Sequence, residues 1–181
     1  MPFKSQLINW LQQDTSRLDA LTVASTLQLN DWCLAAGFVR NLAWDKSHGF
    51  DVATPLNDLD LIYFDPDNPD EQKDKDLELQ LKKLRDYPWS VKNQARMHIR
   101  NGHNPYKSTQ DAMSYWPEVE TAVGVRFDNK SNLELVAPFG LGSLFTNTIT
   151  LNSKFSNSDE FYNRIEGKGW LTKWPNLVVV R

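Results

Sequence analysis

Leu7, Ile8 and Leu11 recur at helical spacing within residues 5–12, so the chain opens on an amphipathic helix. Leu18, Leu21 and Leu27 form a second such stripe, with Thr15 or Ser16 placed to cap it. Residues 32–36, WCLAA, are an unbroken apolar run of the length of a buried strand. Gly37 ends the run, and residues 38–42, FVRNL, start a helix; residues 43–55 then read as a loop holding Asp45, Lys46, His48 and Gly49. In residues 57–64, NDLDLIYF, the pattern changes to alternation. Asp58 and Asp60 fall on one face of a strand, roughly 7 Å apart, with Leu59, Leu61 and Tyr63 on the other.

Asp65-Pro66 and Asn68-Pro69 are turn signals, and the acids after them favour a helix start. That helix runs to about Arg85 with Leu77, Leu81 and Leu84 inward. The acidic run 65–76 resembles a calcium loop but has Pro69 and Asp70 at its fifth and sixth positions, where the loop needs a ligand and a glycine. Residues 89–100 alternate again. Ser90, Lys92, Gln94, Arg96, His98 and Arg100 make a polar row, which places Lys92 and Arg96 in a cleft beside the aspartates. Ser108 or Thr109 caps a short helix, DAMSYW, stopped by Pro117. Residues 122–127 and 133–137 form a hairpin, with Glu134 in its second strand. A short helix ends near Phe145, and the tail, with Trp170 and Trp174, closes the core.

At 181 residues the chain is long enough for one domain with a sizeable core, expected to span residues 1–181. A net charge of −3 lowers the expectation of a polynucleotide partner, which normally meets a basic domain. One cysteine, Cys33, excludes an internal disulfide and fits a reducing cytoplasm. No run reaches the ~18 apolar residues of a membrane span, and no signal segment opens the chain.

The chemistry lies between residues 36 and 64. A strand, a glycine and a helix start present backbone N–H groups to an anion. Two carboxylates on one strand face repel unless a proton or cation intervenes, and such a pair suits Mg²⁺ (or Mn²⁺) together with substrate phosphates. Asp58 and Asp60 are therefore candidate metal ligands. Gly37, Phe38, Arg40, Asn57, Lys92 and Arg96 are candidate contacts for a nucleoside triphosphate.

The motif Ala36-Gly37-Phe38-Val39-Arg40-Asn41 resembles the glycine signature of the nucleotidyltransferase head in CCA-adding enzymes and bacterial poly(A) polymerases. Asp58-Leu59-Asp60 resembles their metal-binding Asp-x-Asp. More closely, GFVRN, TPLNDLDLIYFD, WSVKNQARMH, STQDAMSYWPE, APFGLGSLF and EGKGWLTKWP are similar to a small bacterial family of nucleotidyltransferase-like proteins. The resemblance implies an α+β fold, an α/β mixed sheet of the polymerase-beta-like nucleotidyltransferase type with helices on one face. It also places Arg96 at a strand-end arginine of those enzymes, and makes Glu134 a candidate for the third carboxylate that many nucleotidyltransferases add from a neighbouring strand. Where they carry two arginines and an aspartate for the incoming nucleotide, this chain has Ser114-Tyr115-Trp116, so Tyr115 or Trp116 would stack on it instead.

The implied activity is Mg²⁺-dependent transfer of a nucleoside monophosphate from an NTP to an acceptor that the sequence does not identify. The competing reading is a nucleotide-binding module with a weakened site. A nucleotide-sugar glycosyltransferase, which also uses Asp-x-Asp, needs a longer upstream half than the 57 residues before Asp58. The resemblance covers only the head, so tRNA is disfavoured as a partner.

Overall fold

The computed structural model describes residues 2–181. Helices α1 (Pro2–Gln13) and α2 (Thr15–Ser25) lead, and Leu7, Leu11 and Leu21 are fully buried. The cap of α2 is Asp14 rather than Thr15 or Ser16: its carboxylate accepts from the Arg17 amide at 2.9 Å and pairs with the Arg17 guanidinium. A charged acceptor at the positive end of the helix prevails over a neutral hydroxyl.

The central sheet comprises β1 (Cys33–Ala35), β2 (Leu59–Tyr63), β3 (Trp89–Asn93), β4 (Gly124–Phe127) and β5 (Leu133–Val136), in the order β3-β2-β1-β4-β5. It is mixed. β1 runs antiparallel to β2 and β4, while β2 and β3 are parallel and joined by the crossover helix α4 (Glu71–Leu84). Leu34, Leu59, Leu61, Tyr63, Val91 and Val125 form one face of the sheet, packed against apolar side chains of α1, α2 and α4. Cys33, Ala35, Ile62 and Val136 lie on the other, under Met113 of α6 (Thr109–Met113). Gly124 must be glycine, because a Cβ there would lie 2.6 Å from the Cys33 sulfur. Burial raises the Cys33 thiol far above its ordinary range, so this cysteine is core.

Two elements differ from the sequence pattern. Helix α3 (Gly37–Ser47) continues through residues expected to be loop. Its Asp45, 2% exposed, accepts from the Thr54 amide at 2.7 Å, the Thr54 hydroxyl at 2.6 Å and the Trp174 indole at 2.8 Å, pinning the 48–58 loop to the tail. And β3 stops at Asn93, whose side-chain oxygen accepts from the amides of Asp65 and Ala95, both at 3.0 Å. That turn feeds a single 3₁₀ turn and then α5 (Met97–Asn101), so the alternation expected up to residue 100 ends seven residues early.

The tail forms α7 (Ser158–Lys168) and α8 (Trp170–Lys173) and pairs β6 (Thr148–Thr150) in parallel with β7 (Val178–Val180). Trp170, Trp174, Phe161 and Ile165 pack around Trp44 at the end of α3. This second cluster holds the C-terminal helices over the open part of the sheet. No helix among the described residues is long and apolar enough to cross a membrane.

Candidate active site

A cleft of about 460 Å³ opens on the sheet face opposite α1 and α2. Asp60, Ile62 and Lys92 form its floor, the N-terminus of α3 and helices α7 and α8 one wall, and residues 54–58 another. The parallel register sets Lys92 beside Ile62, on the same face as Asp60. Six basic side chains (Arg40, Lys92, Arg100, Arg164, Lys168, Lys173) meet three acids there (Asp58, Asp60, Glu160), so the cleft is cationic although the chain is acidic.

Asp58 and Asp60 both line the cleft, Asp60 half-buried on β2 and Asp58 exposed just before it. Among the described residues neither carboxylate has a hydrogen-bond or ion-pair partner. Burial, and then the neighbouring Asp58 charge, push the Asp60 carboxyl up to about 6; Arg40, Lys168 and Lys92 pull the other way. Two oxygen donors held together without a partner match the donor set of a hard divalent cation that keeps water and substrate oxygens for the rest of its shell. No cluster of three or more acids, histidines or cysteines placed for a metal occurs among the described residues.

Arg40 is the matching positive group. It is buried, and its guanidinium lies between Trp44 and Trp170, 4.9 and 4.4 Å from their ring centroids. It donates to the Thr121 hydroxyl at 2.8 Å and twice to the Asn41 side-chain oxygen, at 3.2 and 3.0 Å, and among the described residues to no carboxylate. Burial lowers its pKa to about 10, so it stays cationic at neutral pH. Arg164 forms a two-pronged bond to the fully buried Glu118, at 2.7 and 3.2 Å, which fixes its position in the wall.

The backbone entering α3 is unusual. Ala36 has φ +56° and ψ −126°, a glycine-like conformation for a residue with a Cβ. It is held there by its N–H bond to the Val123 carbonyl at 2.9 Å, while its own carbonyl accepts from the Arg40 amide. The bend brings Ala36 and Gly37 to the cleft lining at the start of α3, where first-turn amides have no partner within a helix. At Gly37 a Cβ would lie 3.3 Å from the Asn41 amide nitrogen and 3.4 Å from Arg40, against the pair that lines the wall.

The expected residues thus separate into two groups. Asp58, Asp60, Gly37, Arg40, Asn57 and Lys92 line one cleft, whereas the Phe38 side chain is core and could contribute only its amide. Arg96 and Glu134 are corrections. The Asn93 turn swings Arg96 to the opposite side of the sheet, where it pairs with Asp74 of α4, an acid that also accepts from Tyr63 at 2.7 Å and the Asn93 amide at 3.0 Å. Glu134 sits on β5, three strands from β2, where it bonds Arg126 at 2.6 Å. His48 is likewise engaged elsewhere, accepting from the Asn176 amide at 3.0 Å and bonding the Trp44 carbonyl at 2.8 Å. Arg164, Lys168 and Lys173 belong to the tail, whose pattern shows only a core-closing role; the i, i+4 spacing of Arg164 and Lys168 is the one signal of a shared cationic face.

The cleft thus joins two carboxylates that have no bonded partner among the described residues, a helix entry bent at Ala36 and a buried arginine, on a mixed sheet. The profile of the Nucleotidyltransferase family matches residues 22–179, and the chain belongs to that family. Its structure is similar to the NMR structure of a CCA-adding enzyme head domain, with TM-score 0.83 and 32% identity over 97% of this chain and 94% of that one. A CCA-adding enzyme in complex with CTP matches at TM-score 0.51 and 12% identity, over 93% of this chain and 47% of that one. A tRNA-processing enzyme in an apo form matches at 0.55 and 12%, over 90% and 42%. The chain spans less than half the length of these last two, and at such identities the likeness is one of fold. No curated protein sequence matches the chain.

Proposed function

We propose that the protein transfers a nucleoside monophosphate from an NTP to an acceptor hydroxyl or phosphate, with Mg²⁺ (or Mn²⁺) as cofactor. The observation that carries this reading is the pair of cleft carboxylates, Asp58 and Asp60, without a bonded partner among the described residues and near the buried cation Arg40.

Asp58 and Asp60 would hold the metal, which when bound would polarise the phosphoryl oxygens and offset their charge. The amides of Gly37 and Phe38 would receive the β- and γ-phosphates at the positive end of α3. Arg40, kept rigid by Thr121, Asn41 and the two tryptophans, would neutralise a phosphate without reorganising. Lys92 from the floor and Lys168 and Lys173 from the wall would draw the polyanion in. With the triphosphate fixed, an acceptor oxygen bonds to the α-phosphorus as the α–β bridging bond breaks, and pyrophosphate leaves.

The test is pyrophosphate release from each of four NTPs with Mg²⁺ or Mn²⁺, against pooled metabolites and against RNA. Activity in the wild type and its loss in Asp58→Asn and Asp60→Asn is the expected result. No release and no nucleotide-dependent shift in melting temperature would overturn it. A binding module without turnover is favoured by one observation, the engagement of Glu134 with Arg126 far from the pair; nucleotide binding heat without pyrophosphate would select it.

A further inference from the structure

Five aromatic side chains line the cleft, and four are committed. Trp174 is 1% exposed and donates to Asp45 at 2.8 Å. Trp170 covers Arg40 and meets Trp44 edge-on. The Tyr106 hydroxyl is held by His103 at 2.6 Å and Asn101 at 3.2 Å, and its ring lies against Tyr115, centroids 5.2 Å apart. Tyr115 also carries His103 at 4.7 Å and the Lys154 ammonium at 4.5 Å over its ring.

Trp116 is different. It is half-buried against the cluster of Cys33, Ala35 and Ile62, and it lines the cleft. Yet among the described residues its indole has no ring neighbour and no side-chain hydrogen bond. Ile62, beneath it, stands two residues along β2 from Asp60, roughly 7 Å. That is the scale of a ribose, the spacer between the phosphates of a nucleotide and its base.

We propose that the Trp116 indole is the platform on which the base of the incoming NTP stacks, so that the site selects nucleotides by π-surface and favours purines. This rests on the NTP reading above and adds where the base lies and how it is chosen. Arg164, an arginine of the cleft lining, is tied in both prongs to Glu118 rather than free to read a base edge. Stacking is tolerant of base identity and scales with ring area. Discrimination should therefore be graded, with ATP and GTP ahead of CTP and UTP and no single base required.

The experiment is calorimetric titration of the full chain, in Mg²⁺, with each of the four NTPs and with inorganic tripolyphosphate. Stacking on one aromatic should make ATP about 5- to 150-fold tighter than tripolyphosphate. Trp116→Leu, which keeps apolar bulk but no π-face, should bring ATP down to the tripolyphosphate level while tripolyphosphate itself stays within about twofold. Trp116→Phe should retain most of the ATP preference, and the melting temperatures of both variants check the fold. Equal weakening of ATP and tripolyphosphate, or an unchanged ATP affinity, would overturn the stacking role. So would a wild type that binds one base and rejects the other three. If the wild type binds neither tripolyphosphate nor any NTP, the NTP reading falls and this proposal with it; binding of both without a Trp116 effect removes the base assignment alone.

Discussion

Replacing Asp60 with Asn in the metal-free protein should raise stability while removing activity, and the magnitude follows from the site. The carboxyl titrates at about 6 in the fold against an ordinary 3.8, because burial and the Asp58 charge both disfavour its ionised form. A gap of about two pH units costs about 3 kcal/mol when the group is fully ionised. Asparagine has the same shape and no charge, but it leaves a polar amide in the same half-buried place, so the net gain should be about 1–3 kcal/mol. For a chain of this size each kcal/mol moves the melting temperature by about 2–4 °C. The sign with pH follows from the raised folded value. Below 3.8 the carboxyl is neutral in both states and costs nothing, and the wild type loses this stability as pH rises through 6. The difference between variant and wild type should therefore be largest near pH 7.5 and vanish near pH 4. Asp19, Asp65 and Asp128, held below the usual range by hydrogen bonds to Tyr87, Lys73 and the Asn132 amide respectively, titrate the other way. They are common to both proteins and cancel in the difference. The assay is thermal melting in EDTA from pH 4 to 8, repeated with Mg²⁺. A variant less stable than wild type at pH 7.5, with the deficit persisting at pH 4, would show that Asp60 is a structural acid and refute the reasoning.

Three further outcomes are expected. Ala36→Gly relieves a conformation costing about 1–3 kcal/mol but adds glycine's chain entropy of roughly 0.5–1 kcal/mol, so urea melts should show a modest net gain; a clear loss would contradict the strain. Gly37→Ala has a φ that alanine tolerates, so folding should change by under about 1 kcal/mol. Its Cβ presses on Asn41 and Arg40, and tripolyphosphate affinity measured by calorimetry should fall about tenfold. Arg96→Met leaves Asp74 buried without its cation and should cost about 3–5 kcal/mol in urea denaturation. NTP affinity of its folded fraction should be unchanged, since Arg96 lies off the cleft.

Local order was legible wherever one periodicity held throughout an element. The alternation of residues 58–61 and the apolar run before Gly37 place two carboxylates and a helix entry on neighbouring antiparallel strands, as Ala35 opposite Asp60 shows. The same rule failed at Arg96, because alternation has meaning only while the chain stays extended. The Asn93 side chain, bonding back to its own backbone, ended the strand before the polar row was complete. Asp74 then gave Arg96 a partner that no spacing announces, since the two lie 22 residues apart on different elements.

The chain by itself therefore determined the strand that carries the carboxylate pair and the glycine turn beside it, encoded within about 30 residues. Only the tertiary structure decided which cations complete the site. Arg164, Lys168 and Lys173 reach it because Trp170 and Trp174 pack around Trp44, a contact across more than a hundred residues that depends on ring shape and burial. Tertiary packing likewise fixed the state of Arg40, buried between two tryptophans and bonded to Thr121 and Asn41 rather than to a carboxylate. Periodicity records which face of an element is apolar; it carries no record of which distant face it will meet.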